Sequence, residues 1–387
     1  MKAVFKRADL VLATSVVHNV VNLQSSLPIL GNVLIRATDN KVVFMASDLE
    51  SNVRCEVAAE VEKAGAVTVP AHTFADIVRV LPDADIVLEL EGSRVRVRCE
   101  TLNYDLVTMD PEDFPAWPEI KAKTTLELPQ KTLREVIQQI IFAIPQKDPR
   151  RVLLGGFFDV QGRVLKCVAT DGKKLAFVQR EADTHTGQEQ MSAIVPLKVL
   201  AEVSKALGDE GTVRIQFGER QVGFDLKQIK YVSNMIDGRY PNYDLVIPKT
   251  FERTITLPKG ALRALIRQAA IMSDEKSNSI VLHFENDELK LNAMTYDVGS
   301  YAGSLPINYD RDAFDIVFNH RFLGEILDVT ATDEVLLKAN KPTSPAVFCG
   351  KDVADTLYVI MPIKLADLAE PEEAPAEAEE EEEETEE

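Results

Sequence analysis

Lys259, Arg263 and Arg267 recur at i, i+4 and i+8 in LPKGALRALIRQAAIM. That spacing puts three cations along one side of a helix whose other side carries Leu262, Leu265, Ile266 and Ala269. LPQKTLREVIQQIIFAI repeats the arrangement, with Leu133, Val136, Ile137 and Ile140 apolar and Lys131, Arg134, Gln138 and Gln139 facing away. A charged helix face is most often just solvated. Here it recurs without matching acid on the same faces, in a chain that is acidic on balance, and cations held in this way suit the phosphates of a nucleic-acid backbone. Covalent and acid–base chemistry have less to draw on. The chain has no GxxxxGK[ST] loop, HExxH helix, GxSxG elbow or EF-hand loop. His18, His72, His185, His283 and His320 stand singly, and the Gly155-Gly156 pair lacks dinucleotide-binding spacing. Thr170-Asp171-Gly172 reads as a turn before it reads as an acid or a metal ligand. The residues therefore point to a binding protein without catalytic site, metal or cofactor.

The elements that must position these cations sit in a chain of 387 residues, 45% hydrophobic, 27% charged and 6% aromatic, enough for two or three packed cores. The formal net charge is -19, but residues 366–387 hold 13 acids and no base, so the body carries 49 acids against 43 bases. PEEAPAEAEEEEEETEE has almost nothing to bury and repels itself, which predicts a disordered tail, either a solubilising segment or an electrostatic regulator. No apolar run reaches the roughly 20 residues of a membrane span, and MKAVFKRADLVLA lacks the apolar stretch of a secretory signal, so the expected location is the cytoplasm. Cys55, Cys99, Cys167 and Cys349 lie far apart with no CxxC pair, and are expected as reduced, mostly buried thiols.

Comparing the chain with itself reveals a threefold repeat. LPILGNVLIRATDNKVVFMASDLESN, RRVLLGGFFDVQGRVLKCVATDGKKLAF and KSNSIVLHFENDELKLNAMTYDVGSY each read as strand, turn and strand, with turns at Asn40, Gly162 and Asp287. VTVPAHTFADIVRVL, AIVPLKVLAEVSKAL and DIVFNHRFLGEILDV each read as a strand running into an amphipathic helix at Pro70, Pro196 and Asn319. EDFPAWPEI, DGRYPNYDLVIP and YVIMPIKL close the units with Pro115, Pro241 and Pro362 in register. A period near 121 to 126 residues suits a compact domain and not a solenoid. The expected organisation is α+β: three similar domains in tandem at residues 1–122, 123–250 and 251–365, then the acidic tail 366–387. Each is read as helix, hairpin, strand, helix, hairpin, an internal duplication.

The repeat together with LPILGN, ATDGKKLA, DGRYPNYDLVIP and YVIMPIKL resembles the DNA polymerase III beta subunit family, the bacterial sliding clamps, over residues 1 to 365. The resemblance implies a head-to-tail homodimer closing into a ring of six similar domains, helices inside and sheets outside, around double-stranded DNA held without sequence preference. It implies a processivity factor that is not itself an enzyme. It also implies, as partners, the replicative polymerase catalytic subunit, the clamp loader, and other polymerases and repair proteins that insert short linear motifs. No membrane is involved.

Residue by residue, the resemblance implies that Lys147, Arg150 and Arg151 lie on a loop touching DNA, beside lumen candidates Lys131, Arg134, Lys198, Lys259, Arg263 and Arg267. It implies dimer contacts at Tyr104, Leu106, Ile271 and Met272. A motif pocket between the second and third domains would draw Leu153, Thr170, Gly172, Lys173, Lys174 and Leu175 from one stretch. Pro241, Leu245 and Val246 would come from a second stretch, and Asn319 and Phe322 from a third. Val359, Ile360, Met361, Pro362, Ile363 and Leu365 would come from the last. The chain departs from the family pattern at Lys173 and Lys174, where histidine and arginine are frequent, and at Leu245, where arginine is frequent. Ser277 stands where a large apolar residue occurs, and Arg151 and Val152 where aromatics occur. A tail that emerges beside the pocket is a further departure, expected to screen the pocket or ring face through Lys173, Lys174 and Lys364. The alternative reading is an acidic-tailed protein-interaction scaffold of the same fold that does not encircle DNA.

Overall fold

The computed structural model describes residues 1–21, 25–39 and 41–364. The turn residue Asn40, the pocket candidate Leu365 and the acidic tail lie outside them. Six helices are described: α1 (Arg7–Val17), α2 (Ala71–Val80), α3 (Gln130–Ile141), α4 (Leu197–Ala206), α5 (Lys259–Ala269) and α6 (His320–Val329). They pack as α1 with α2, α3 with α4 and α5 with α6, one pair per sequence repeat.

The repeat has a different grammar from the one expected. A strand precedes every helix, and the strands after it run as a meander of three, not a hairpin. In the second repeat Thr124–Pro129 leads into α3 and the meander Gly155–Gln161, Val164–Thr170, Lys174–Glu181. Gln190–Pro196 then leads into α4 and Thr212–Phe217, Gln221–Asp225, Ile229–Asn234. The strands that lead the second helix of each repeat were expected; those that lead the first, Lys2–Lys6, Thr124–Pro129 and Arg253–Pro258, were not. Thr124–Pro129 earns its place by pairing with the second half's meander, Leu126 opposite Ile215 and Leu128 opposite Val213, which ties the two halves together.

Four of those strands end on Pro70, Pro129, Pro196 or Pro258, each the N-cap of a helix. Proline lacks the N–H that a ladder needs and presets φ for the turn into the helix, so strand and helix meet at one residue. At the sixth helix the same task falls to Asn319, whose side chain accepts from the Arg321 N–H (2.9 Å) and the Phe322 N–H (3.4 Å).

The chain forms two compact units. The first comprises Met1–Leu245 with Val353–Tyr358. Its nine-stranded sheet runs from the second repeat into the first through antiparallel pairing of Ile229–Asn234 with Ser51–Ala58, Ile229 opposite Cys55 and Val232 opposite Asn52. A five-stranded sheet ends in Leu102–Val107, and Gln190–Pro196, Gly155–Gln161, Val164–Thr170 and Lys174–Glu181 lie side by side in another. The second unit, Val246–Asp352 with the residues from Val359 on, holds a four-stranded sheet ending in Gly299–Pro306 and the antiparallel strands Arg253–Pro258, Glu334–Ala339 and Ala346–Gly350.

Cores form where helix faces meet sheets, with ring contacts such as Phe5 to Phe44 (5.9 Å) and Phe318 to Phe348 (5.6 Å). Leu133, Val136, Ile137 and Ile140 are buried as their spacing predicts, as are Leu262, Ile266 and Ala269. All four cysteines are free and buried, and burial pushes the Cys55 thiol up to about 12.

Candidate functional site

Two of the helix cations find acid partners on other elements. Arg134 pairs with Asp209, and Arg263 donates from Nε and Nη2 to the two carboxylate oxygens of Asp328 at 2.8 and 2.7 Å. The acids come from the loop after α4 and from α6, so the helix's own periodicity cannot reveal them. The Arg134 guanidinium in turn holds the Asp209 carboxyl below the usual carboxylate range. Lys198 donates to Asp48 (2.6 Å) and to the Val20 carbonyl (3.1 Å), bridging the first and second repeats. Lys131, Lys147, Arg151 and Arg267 are exposed, and their side chains make no hydrogen bond or ion pair among the described residues.

The first helix of each repeat also supplies a cation to the end of the second. Arg7 donates to the Arg79 carbonyl (2.8 Å), Arg134 to the Leu207 carbonyl (3.3 Å) and Lys259 to the Thr330 carbonyl (2.8 Å). Positive charge at these carbonyls satisfies an orphan acceptor and complements the negative end of the helix dipole.

Arg150 is held on its own loop. It donates from Nε and Nη2 to Asp148 (2.9 Å each) and from Nη2 to the Asp171 carbonyl (3.0 Å). The hydrogen bonds from its side chain, then from its backbone N–H, hold the Asp148 carboxyl down to about 2. The Asp171 contact lands on the turn at residues 170–174, where Gly172 has φ +89 and Asp171 Oδ1 accepts from the Lys173 and Lys174 N–H groups (2.8 Å each). Only glycine enters that backbone region without steric cost. Two groups that the sequence kept separate, an arginine expected on a DNA-contacting loop and a turn expected at the pocket rim, thus touch.

The remaining pocket candidates fall in both units. In the first, Leu153 and Leu175 are core, Lys173 and Pro241 are exposed, and buried Lys174 lies over the Phe142 ring at 5.4 Å. Leu245 is 83% exposed. In the second, Val359 and Ile360 are buried, while Val246 and Met361 expose 41% and 40% of their surface. Phe322, Pro362 and Ile363 are half-buried, and the Ile363 N–H donates to the Val317 carbonyl (2.9 Å). Ser277 is tied to Ser279 Oγ (2.9 Å) and to Asp274.

Tyr104 and Leu106 lie on Leu102–Val107, the last strand of the five-stranded sheet. In the second unit Ile271 is 77% exposed beside half-buried Met272.

Histidines isolated in sequence are not isolated in the fold. His18 and His72 meet edge to face at 5.8 Å, and His283 lies between Asp315 (2.6 Å) and Glu285 (3.6 Å). Sequence reasoning also missed a cavity of about 1210 Å³ in the first unit, lined by Asp48, Glu50, Lys121, Arg151, Lys198 and Asp237 among others. No local signal marks it, since its walls come from six segments. Among the described residues no cluster of three His, Cys, Asp or Glu could hold a metal, and no helix is long and apolar enough to cross a membrane.

Three consecutive stretches match models of the DNA polymerase III beta subunit: the N-terminal domain at residues 1–118, the central domain at 127–242 and the C-terminal domain at 244–364. The beta sliding clamp of Vibrio cholerae is 30% identical over 368 residues, covering 94% of this chain and 100% of that protein. That of Synechococcus elongatus is 29% identical over 373 residues, with the same coverage. Among solved structures, a DNA polymerase III beta sliding clamp from Pseudomonas aeruginosa bound to griselimycin superposes with a TM-score of 0.91 at 29% identity, covering 94% of this chain and all of that one. The DNA polymerase III beta subunit of Thermotoga maritima gives 0.88 at 26%, covering 94% and 99%. With all three of its domains matched in order along one chain, this protein belongs to the DNA polymerase III beta subunit family.

Proposed function

We propose that this protein is a DNA sliding clamp: a non-catalytic ring that encircles duplex DNA and tethers the replicative polymerase, conferring processivity. The observation that carries the reading is the end-to-end match, 94% of this chain against 100% of proteins named beta sliding clamp. Two chains join head to tail, each giving three domains bounded near residues 122 and 250, with Tyr104 and Leu106 of one meeting Ile271 and Met272 of the other. Retention is topological, so the contacts to phosphate can be weak, and base readout would hinder sliding. Lys131, Lys147, Arg151 and Arg267, exposed and unpaired, are the cations ready to meet phosphates, while Arg134, Arg150, Lys198, Lys259 and Arg263 must share theirs with existing partners. The expected motif pocket, drawn from Leu153, Thr170, Gly172, Lys173, Lys174, Leu175, Pro241, Leu245, Val246, Asn319, Phe322, Val359, Ile360, Met361, Pro362, Ile363 and Leu365, takes short linear motifs of polymerases, the loader and repair proteins in the cytoplasm. The acidic tail screens that pocket, so truncation after Leu365 raises motif-peptide affinity at low salt; unchanged affinity rejects this role.

The scaffold alternative draws on one observation, the neutralisation of Arg134 and Arg263 by acids within the chain. Loading onto circular DNA separates the two readings. A clamp stays on the closed circle and is lost when the circle is cut, whereas a scaffold leaves at the same rate before and after cutting.

A further inference from the structure

Arg150 has five N–H donors. Nε and Nη2 use three of them, two on Asp148 and one on the Asp171 carbonyl, and Nη1 has no partner among the described residues although the side chain is 54% exposed. The guanidinium is thus fixed along one edge and open along the other. Beneath it lies Gly172: a Cβ there would stand 3.3 Å from both Nη1 and Nη2, so the missing side chain is what lets the guanidinium lie against the turn.

Both ends of this contact are stiff. The Arg150 carbonyl accepts the Leu153 N–H (2.9 Å), and Leu153 is core. Across the contact, Thr170 Oγ1 accepts the Gly172 N–H (3.0 Å) and donates to the Lys174 carbonyl (2.7 Å). A displacement of the guanidinium therefore has no slack segment in which to dissipate.

We infer that Arg150 is a positioning residue that couples phosphate contact on the loop 147–151 to the order of the turn 170–174, through the free Nη1 edge and the Asp171 carbonyl. A phosphate oxygen on Nη1 finds the guanidinium already oriented by Asp148, and its charge holds the planar group in place over Gly172. By linkage, whatever the ordered turn binds more tightly also strengthens the phosphate contact. The inference rests on the reading of the loop as DNA-facing and of the turn as a wall of the motif pocket.

Hydrogen–deuterium exchange on the full chain, with and without a short duplex oligonucleotide at low salt, tests it. Duplex is expected to slow exchange in both 147–154 and 170–175, the latter about fivefold, the scale of one net hydrogen bond. Arg150→Lys keeps the charge but not the fork, and should retain the effect at 147–154 while losing it at 170–175. Slowing at 147–154 alone in the unsubstituted protein would overturn the coupling and leave the DNA-facing loop standing. No change in either segment would overturn the DNA-facing reading and the inference with it. An Arg150→Lys protein that keeps both responses would show that charge alone, and not the bridging geometry, carries the effect.

Discussion

Arg263 grips Asp328 by passing over Gly324 in the middle of α6, where a Cβ would stand 2.8 Å from its Nη1. A glycine inside a helix ordinarily costs about 1 kcal/mol relative to alanine. Here that cost is offset by the room it gives a bidentate pair between the helices of the third repeat. The pair also withholds one cation from any external phosphate.

Releasing that cation should be visible in DNA binding. Asp328→Asn and Gly324→Ala both free Arg263, the first by removing the acceptor and the second by displacing the guanidinium without changing the charge. Each is expected to steepen the fall of log K with log salt by about 0.9, the increment for one added phosphate contact, in anisotropy titrations with duplex DNA. An unchanged slope in both variants would mean that Arg263 does not face DNA.

Lys259 should contribute to stability whether or not it meets DNA. Its donation to the Thr330 carbonyl at the end of α6 combines a hydrogen bond with a favourable helix-dipole contact. Lys259→Met keeps most of the apolar stem and is expected to lower stability by about 1 kcal/mol in urea unfolding. A loss indistinguishable from zero would assign the lysine to solvent.

Protonation of His283 should stabilise the second unit. The hydrogen bond to Asp315, then that group's charge, then Glu285, hold its pKa above the ordinary 6.5. A histidine that binds its proton more tightly when folded stabilises fully below the unfolded value, and the contribution disappears as pH rises through the folded one. The urea midpoint should therefore fall between pH 6 and pH 8.5 by more in the parent than in His283→Gln. Equal pH dependence of the two would remove His283 from the account.

Ile271 and Met272 should hold the ring closed. Replacing both with glutamate places two charges where an apolar contact is required, and light scattering behind size exclusion should then give a one-chain mass at micromolar concentration where the parent gives two. A dimer surviving the double substitution would move the interface elsewhere.

The repeat, the helix faces and the strand-ending prolines Pro70 and Pro196 were legible in the sequence because each is a local matter. A period of 3.6 or 2 reports which side of an element leaves water, and Leu133, Val136, Ile137 and Ile140 obey it. Proline has no N–H to give a ladder, which favours a strand end where it precedes a helix. The strands that lead the first helix of each repeat were lost for the converse reason: six residues such as Thr124–Pro129 become a strand only through partners some 60 and 90 residues away. What faces a polar side chain across a gap leaves no periodic trace at all. Asp328 lies 65 residues from Arg263, and the Asp171 carbonyl 21 residues from Arg150. The packing of α5 on α6, and of a loop on a turn, chose those partners. The cations themselves were thus fixed by the sequence, whereas the tertiary structure decided which remain open to a phosphate, because desolvation and charge pairing are properties of neighbours in space.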